Sequence, residues 1–358
     1  MRKKKILRVS LLMFLLISIS WSVFAAEVIN IDLKTAINTV LERDLDFKIA
    51  TITYDKARLD YEKKKANYLL QQSRYNELEM ESSLDSAENT YLNSKFQIVN
   101  NIISEYSNLW LSNLDLEIKN KNMNLETRRL EEAKAQYEIG DIGSIDLLDQ
   151  ENSYKDVRYS LENARDDYQY SITEFKTDLQ LGDAEVELSG LKYTKDWQIT
   201  ENEAIDIAME NSVEIRQKGD QLELARIDLE RAEVSAAELD KKIKAKNVQI
   251  AELELEKEKK KVESSTQEAH YQFRQSIKKI DLNTERLTGA EEKFKLRKEQ
   301  YQVGLVTSIE VLEYEINMLQ ARYNYLSVLA DYYQKEQALR QQMGLEAGVF
   351  SNEIAGDK

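Results

Sequence analysis

YEIGDIGSIDLLDQE at residues 137–151 returns as YQVGLVTSIEVLEYE at 301–315. A constant offset superimposes Tyr137 on Tyr301, Gly140 on Gly304, Ser144 on Ser308, Ile145 on Ile309, Leu148 on Leu312 and Glu151 on Glu315. Self-similarity at a fixed spacing marks a duplicated structural unit. Upstream, Leu109, Leu116, Met123, Leu130 and Tyr137 stand seven apart, and the same offset lands on Phe273, Ile280, Leu287, Phe294 and Tyr301. Apolar residues at heptad spacing return to one stripe only on a helix packed against another helix.

Each quoted segment is therefore a turn between two long helices. Gly140 and Gly304 sit where the first pattern stops, and glycine accepts the left-handed conformation that ends a helix. Ser144 and Ser308 are the expected N-caps of the next helices, with Asp146 and Glu310 near the positive end of the helix dipole. Ile309, Leu312, Ile316, Leu319, Tyr323, Leu326, Ala330 and Tyr333 then alternate steps of three and four, a coiled-coil seam.

The chain of 358 residues has no proline, ten glycines and 32% charged residues. So little punctuation suits long helices. One from about Ser82 to Ile139 would run roughly 85 Å at 1.5 Å per residue. The expectation is an all-α, elongated molecule of antiparallel hairpins. It would lack a compact central core and bury its surface helix on helix, within and between chains.

Arg2, Lys3, Lys4, Lys5 and Arg8 precede an apolar run from Leu11 to Phe24 that ends in Ala25 and Ala26, which reads as a signal peptide over 1–25. Its removal deletes five basic residues and no acid, so the formal charge of −15 becomes more negative by five. Nucleic acid is excluded as a partner for such an acidic surface. LKTAINTVLERDLDFKIA at 33–50 resembles ENEAIDIAMENSVEIRQK at 201–218, so a short amphipathic helix opens each half. The domains expected are a first helical repeat at 26–182, a linker at 183–200 with a short strand at Val186–Leu188, a second repeat at 201–346 and a tail at 347–358.

No chemistry for catalysis emerges. One histidine, His270, and no cysteine leave no nucleophile pair, metal constellation or cofactor motif, and His270 on a charged helix is expected to be exposed. Lys63, Lys64 and Lys65, and Lys241, Lys242, Lys244, Lys246, Lys257, Lys259, Lys260 and Lys261, gather opposite the glycine turns, where anionic headgroups could attract them; the interleaved Glu252, Glu254, Glu256 and Glu258 make a solvated helix surface the default reading.

The paired Tyr-x-x-Gly turns followed by Ser-Ile-acid-x-Leu, the Leu181-Gly182 and Met343-Gly344 endings, and the Ala-Ile openings at 36 and 204 resemble the TolC family of outer-membrane efflux channel proteins. The resemblance covers nearly the whole mature chain. It implies a homotrimer in the cell envelope, outer-membrane-associated or periplasmic, that forms a hollow helical barrel. The trimer would meet a membrane fusion (adaptor) protein and, through it, an inner-membrane transporter. Carried over residue by residue, Ile139, Gly140, Asp141, Ile142, Gly143 and Ser144 would form one adaptor-binding tip. Val303, Gly304, Leu305, Val306, Thr307 and Ser308 would form the other. Asp141 stands where the family has leucine, so the two adaptor grooves are expected to differ. Asp146, Asp149, Glu310 and Glu313 match entrance carboxylates, although helix capping explains Asp146 and Glu310 equally well.

The family also places a β-hairpin between outgoing and return helices. Neither ANYLLQQSRYNELEMESSLDS nor SAAELDKKIKAKNVQIAELELEKEK has room or alternation for two membrane strands of ~9 to 11 residues. The membrane strands are thus expected to be missing, and a bend near Gln71–Asn76 rests on the family alone. A non-conducting envelope spacer or scaffold is the alternative.

Overall fold

The computed structural model describes residues 28–68, 73–191, 193 and 197–348. The signal-peptide reading and nearly all of the tail lie outside these residues. Ten elements follow in order. Strand β1 (Val28–Ile31) leads into α1 (Leu33–Arg43), α2 (Leu45–Tyr68), α3 (Arg74–Glu138) and α4 (Ser144–Asp178). Strand β2 (Glu185–Leu188) then precedes α5 (Glu201–Asn211), α6 (Val213–Ser235), α7 (Glu238–Gln302) and α8 (Ser308–Gln342). Helix lengths run 11, 24, 65 and 35 residues, then 11, 23, 65 and 35.

Local chemistry sets these boundaries. Asp32 Oδ1 accepts from the Thr35 amide at 2.6 Å to start α1. Thr200 and Glu203 form a reciprocal capping box for α5. Each short helix ends in an abrupt kink that the next cap restarts: Asp44 Oδ1 accepts from the Phe47 amide at 2.6 Å, and Ser212 Oγ from the Ile215 amide at 3.2 Å.

The long helices pack as a row. In the half away from the glycine turns, α2 packs on α3, α3 on α6 and α6 on α7. In the other half α4 packs on α3, α3 on α8 and α8 on α7. Among the described residues the outer helices of each row do not pack on one another. The α6–α7 reversal holds only Ala236 and Ala237, which leaves no place for a strand hairpin. Helices α2 and α3 also pack side by side, so the chain does reverse between them; of the expected bend near Gln71–Asn76, residues 73–76 are described, with Ser73 just before α3 and Arg74 opening it.

The molecule does have a core, contrary to expectation. Strands β1 and β2 pair in parallel, Val28 with Glu185 through Ile31 with Leu188, and tie the start of the chain to the linker. Around them α1, α5, the middles of α3 and α7, and the ends of α4 and α8 bury Ile31, Ile37, Ile103, Tyr106, Phe175, Phe273, Leu339 and Met343. Tyr106 OH reaches the carbonyls of Ile31 (3.0 Å) and Ser189, so one phenol anchors both strands to α3. Trp197 of the linker lies beside Phe273 with ring centres 5.0 Å apart, and the Arg340 guanidinium stands over the Trp197 ring at 4.8 Å. The sequence pattern missed this core because it is assembled from segments far apart in the chain.

His270 is likewise not exposed. It is 1% accessible, and its Nε2 lies 3.0 Å from the Ile199 carbonyl where the linker folds back over α7. The expected strand at Val186–Leu188 is present, one residue longer.

Glu105 of α3 faces the end of α4. Burial, then its hydrogen bond to Asp178 and the charges of Asp178 and Glu174, push its carboxyl up to about 8. A carboxyl held above its unfolded value contributes stability that is full below the ordinary glutamate range and lost as pH rises through about 8. Glu105→Gln is therefore expected to raise the melting temperature relative to the parent at about pH 9 but not at about pH 5. Thermal melts at the two pH values, with no difference in the effect, would contradict this.

Candidate functional site

The two glycine turns share one backbone solution. At the first, the Asp141 amide donates to the Gln136 carbonyl at 2.8 Å and the Gly140 amide to that of Tyr137 at 3.0 Å. At the second, Leu305 donates to Gln300 and Gly304 to Tyr301, both at 3.0 Å. These are Schellman closures. They require the left-handed conformation, adopted by Gly140 at φ +80° and Gly304 at φ +77°.

Restarting the chain corrects one expectation. Ser144 and Ser308 are the first residues of α4 and α8, and the caps are Gly143 and Thr307. Thr307 Oγ1 accepts from the Glu310 amide at 3.2 Å, and Glu310 Oε2 accepts from the Thr307 amide at 2.9 Å. Gly143 has no side chain to offer, so only the return half exists there, with its amide 3.0 Å from Asp146 Oδ2. The Thr307 amide, and then its hydroxyl, hold the Glu310 carboxyl below its ordinary value.

These closures leave apolar side chains outside. Ile139 is 80% exposed, Leu305 73% and Val303 71%, with Ile145 and Leu148 exposed on the first turn of α4. Ile142 and Val306 are half-buried; Asp141 is exposed. The other predicted acids separate. Asp149 is exposed, whereas Glu313 binds the Arg129 guanidinium of α3.

Arg129 belongs to a network that the sequence patterns did not reveal. It also holds Glu126 at 2.7 Å, a carboxylate that is nearly buried and that accepts from Gln150 at 2.7 Å. Lys121 meets Glu315 at 2.6 Å, and Arg128 donates to Ser308 Oγ at 2.8 Å. Three contacts thus lash α3 of the first hairpin to α8 of the second. They set the axial register: Arg128 lies ten residues before the end of α3, yet it meets the start of α8. At 1.5 Å per residue the first tip projects beyond the second by on the order of 10 Å.

Residues 211–345 match the family model described as outer membrane efflux protein. That stretch of the second half is similar to the outer membrane efflux proteins. The solved structures that share its fold include CusC (TM-score 0.57, 16% identity, 87% of this chain and 95% of that one). The outer membrane protein VceC of Vibrio cholerae gives a TM-score of 0.59 at 12% identity over 88% of this chain and 96% of that one. The outer-membrane channel OprN gives 0.60 at 11% over 87% and 89%. At these identities the likeness is one of fold. No curated protein matches the sequence. Among the chain's described residues no helix is long and apolar enough to cross a membrane.

The unequal caps yield a measurable difference. Thr307→Ala should loosen the second tip by about 1 kcal/mol, the usual cost of a lost N-cap. Amide hydrogen exchange at Leu305–Glu310 should then quicken several-fold, with the first tip unchanged and Thr307→Ser near the parent rate. Equal change at both tips would argue against a local cap.

Proposed function

We propose that the chain is the wall segment of a homotrimeric export conduit in the periplasm that docks by its glycine tips on an adaptor protein. The observation that carries this reading is the pair of unsatisfied edges of the helix row. On α2, Leu45, Ile49, Ile52 and Leu59 are all more than 60% exposed at coiled-coil spacing. On α7, at the opposite edge, Leu239, Ile243, Ile250 and Leu253 are exposed at the same spacing. Two different apolar edges on one molecule make a heterologous contact, which closes into a ring when the rotation allows it. The TolC-family resemblance supplies the number three.

In such a ring the apolar tips face the adaptor end. Ile139, Gly140, Asp141, Ile142, Gly143 and Ser144 form one knob, and Val303, Gly304, Leu305, Val306, Thr307 and Ser308 the other. With Asp141 opposite Leu305 and unequal projection, each knob presents its own surface to the adaptor. Asp149, free of the caps, is the acid best placed to line the entrance. The Arg129–Glu313 and Lys121–Glu315 pairs hold the two hairpins of one chain together. At the far end the two-residue turn at Ala236–Ala237 supports a conduit that stops at helical ends. That same turn favours the second reading, a spacer without cargo.

The chain has no cysteine, so introduced ones report cleanly. Leu59→Cys on α2 with Ile250→Cys on α7 should cross-link purified protein into dimers and trimers and nothing larger. A monomer at micromolar concentration, or an open ladder, would overturn the ring. For the tips, Leu305→Asp should abolish cross-linking to the adaptor and raise sensitivity to exported toxic compounds, with the trimer intact. Unchanged sensitivity together with altered envelope stiffness would favour the spacer.

A further inference from the structure

In the half that carries the glycine turns, the duplication places α3 on α7 and α4 on α8, so α3 packed on α4 corresponds to α7 packed on α8. The remaining contact, α3 on α8, has α7 on α4 as its counterpart. Within one chain that contact is not made, because α4 and α7 lie at opposite ends of the row. Its absence shows at matched positions. Leu312 of α8 is buried, whereas Leu148, the same position of α4, is exposed. Ile118 of α3 and Tyr323 of α8 belong to one apolar cluster, and their counterparts, Leu282 of α7 and Tyr159 of α4, are both exposed.

The exposed side chains of the two edges also share a spacing. On α4, Ile145, Tyr159 and Tyr170 stand 14 and 11 residues apart. On α7, followed from the tip against the chain direction, Leu296, Leu282 and Tyr271 stand 14 and 11 apart as well. Steps of 11 and 14 keep side chains within about 40° of one face at 100° per residue, and antiparallel helices share one rise, so the two sets fall opposite each other in a single register. Charge supports the same register to within one residue. The offset that carries Arg129 to Lys293 carries Glu313 back to Asp149, and Arg129 with Glu313 is the ion pair that joins α3 to α8. Lys293 and Asp149 are exposed, and among the described residues neither forms an ion pair within its own chain.

We infer, on the ring reading, that α4 of one copy packs antiparallel on α7 of the next as a second edition of the α3–α8 seam. Ile145 meets Leu296, Tyr159 meets Leu282 and Tyr170 meets Tyr271 of the next copy. Asp149, at the entrance, pairs there with Lys293 of the next copy. One charge pair does not carry over. Lys121 and Glu315 correspond to Glu285 and Glu151, two acids, so the seam between copies is held less firmly than the seam inside each copy. The tip end of the ring thus alternates a firmer joint with a looser one.

The test uses the purified mature chain, in which introduced cysteines are the only ones. Tyr159→Cys with Leu282→Cys should form a disulfide between copies on mild oxidation. Tyr159→Cys with Gly289→Cys should not: seven residues displace the second sulfur by about 10 Å, and a disulfide needs Cα atoms within roughly 7 Å. Sedimentation on dilution should show the Asp149→Lys assembly dissociating at about tenfold higher concentration than the parent, since every seam in the ring carries the same repulsion. Asp149→Lys combined with Lys293→Asp should return to the parent value, which separates a broken pair from a misfolded tip. An intact trimer that links through Gly289 or through neither position, that is indifferent to Asp149→Lys, or that the charge exchange does not rescue overturns this register and leaves the ring standing. A chain that stays monomeric overturns both.

Discussion

A helix of 65 residues with an apolar stripe only one or two side chains wide needs a neighbour along its length. A single hairpin supplies one neighbour and leaves the other flank wet. The structure is the consequence of meeting this need repeatedly. Helix α3 is flanked by α2 and α6 in one half and by α4 and α8 in the other, so of the two 65-residue helices it is the one with neighbours on both sides along its length. The helices at the ends of the row remain half satisfied. Apolar burial is non-directional, so nothing within one chain distinguishes the final partner; geometry does, because a row has two ends and they differ.

Duplication gave the two halves the same skeleton and let their details diverge. The helix lengths agree almost residue for residue, but the caps do not. Thr307 and Glu310 satisfy each other in full, whereas Gly143 can only receive help from Asp146. The kinks diverge in the same way, with Arg43 on the Leu179 carbonyl in one half and Asn211 on the Met343 carbonyl in the other. Equal backbones with unequal side chains allow one architecture to present distinct surfaces, and the ion pairs between α3 and α8 fix those surfaces at different heights.

The long helices, both glycine turns, the short opening helices and the absence of strands at the α6–α7 reversal were legible in the sequence because each rests on local periodicity or a local breaker. Ser144 and Ser308 were misread as caps by one position, since a cap is defined by the dihedral of the residue and not by its type alone. The family match covers only residues 211–345, within the half whose tip carries the fuller Val-Gly-Leu pattern. What the sequence could not show depends on contacts across more than seventy residues. His270 reads as a surface residue until the Ile199 carbonyl is brought over it, and Tyr106 is one tyrosine among many until two strands 157 residues apart both lean on its hydroxyl. The Arg129 network belongs to the same class. Its members stand on three helices, and no spacing within one of them marks it.

The alanine pair between α6 and α7 has a further consequence for how such a molecule changes size. Because the joint consists of two small residues and its flanking helices carry a seven-residue period, matched deletions of seven residues on either side, made together with the same deletions at the α2–α3 reversal, would keep the seams in register. Each such step would shorten the rod by roughly 10 Å. Height is thus an adjustable quantity in this architecture, open to fitting envelopes of different depth by trimming both reversals at one end while the machinery at the opposite end is left alone.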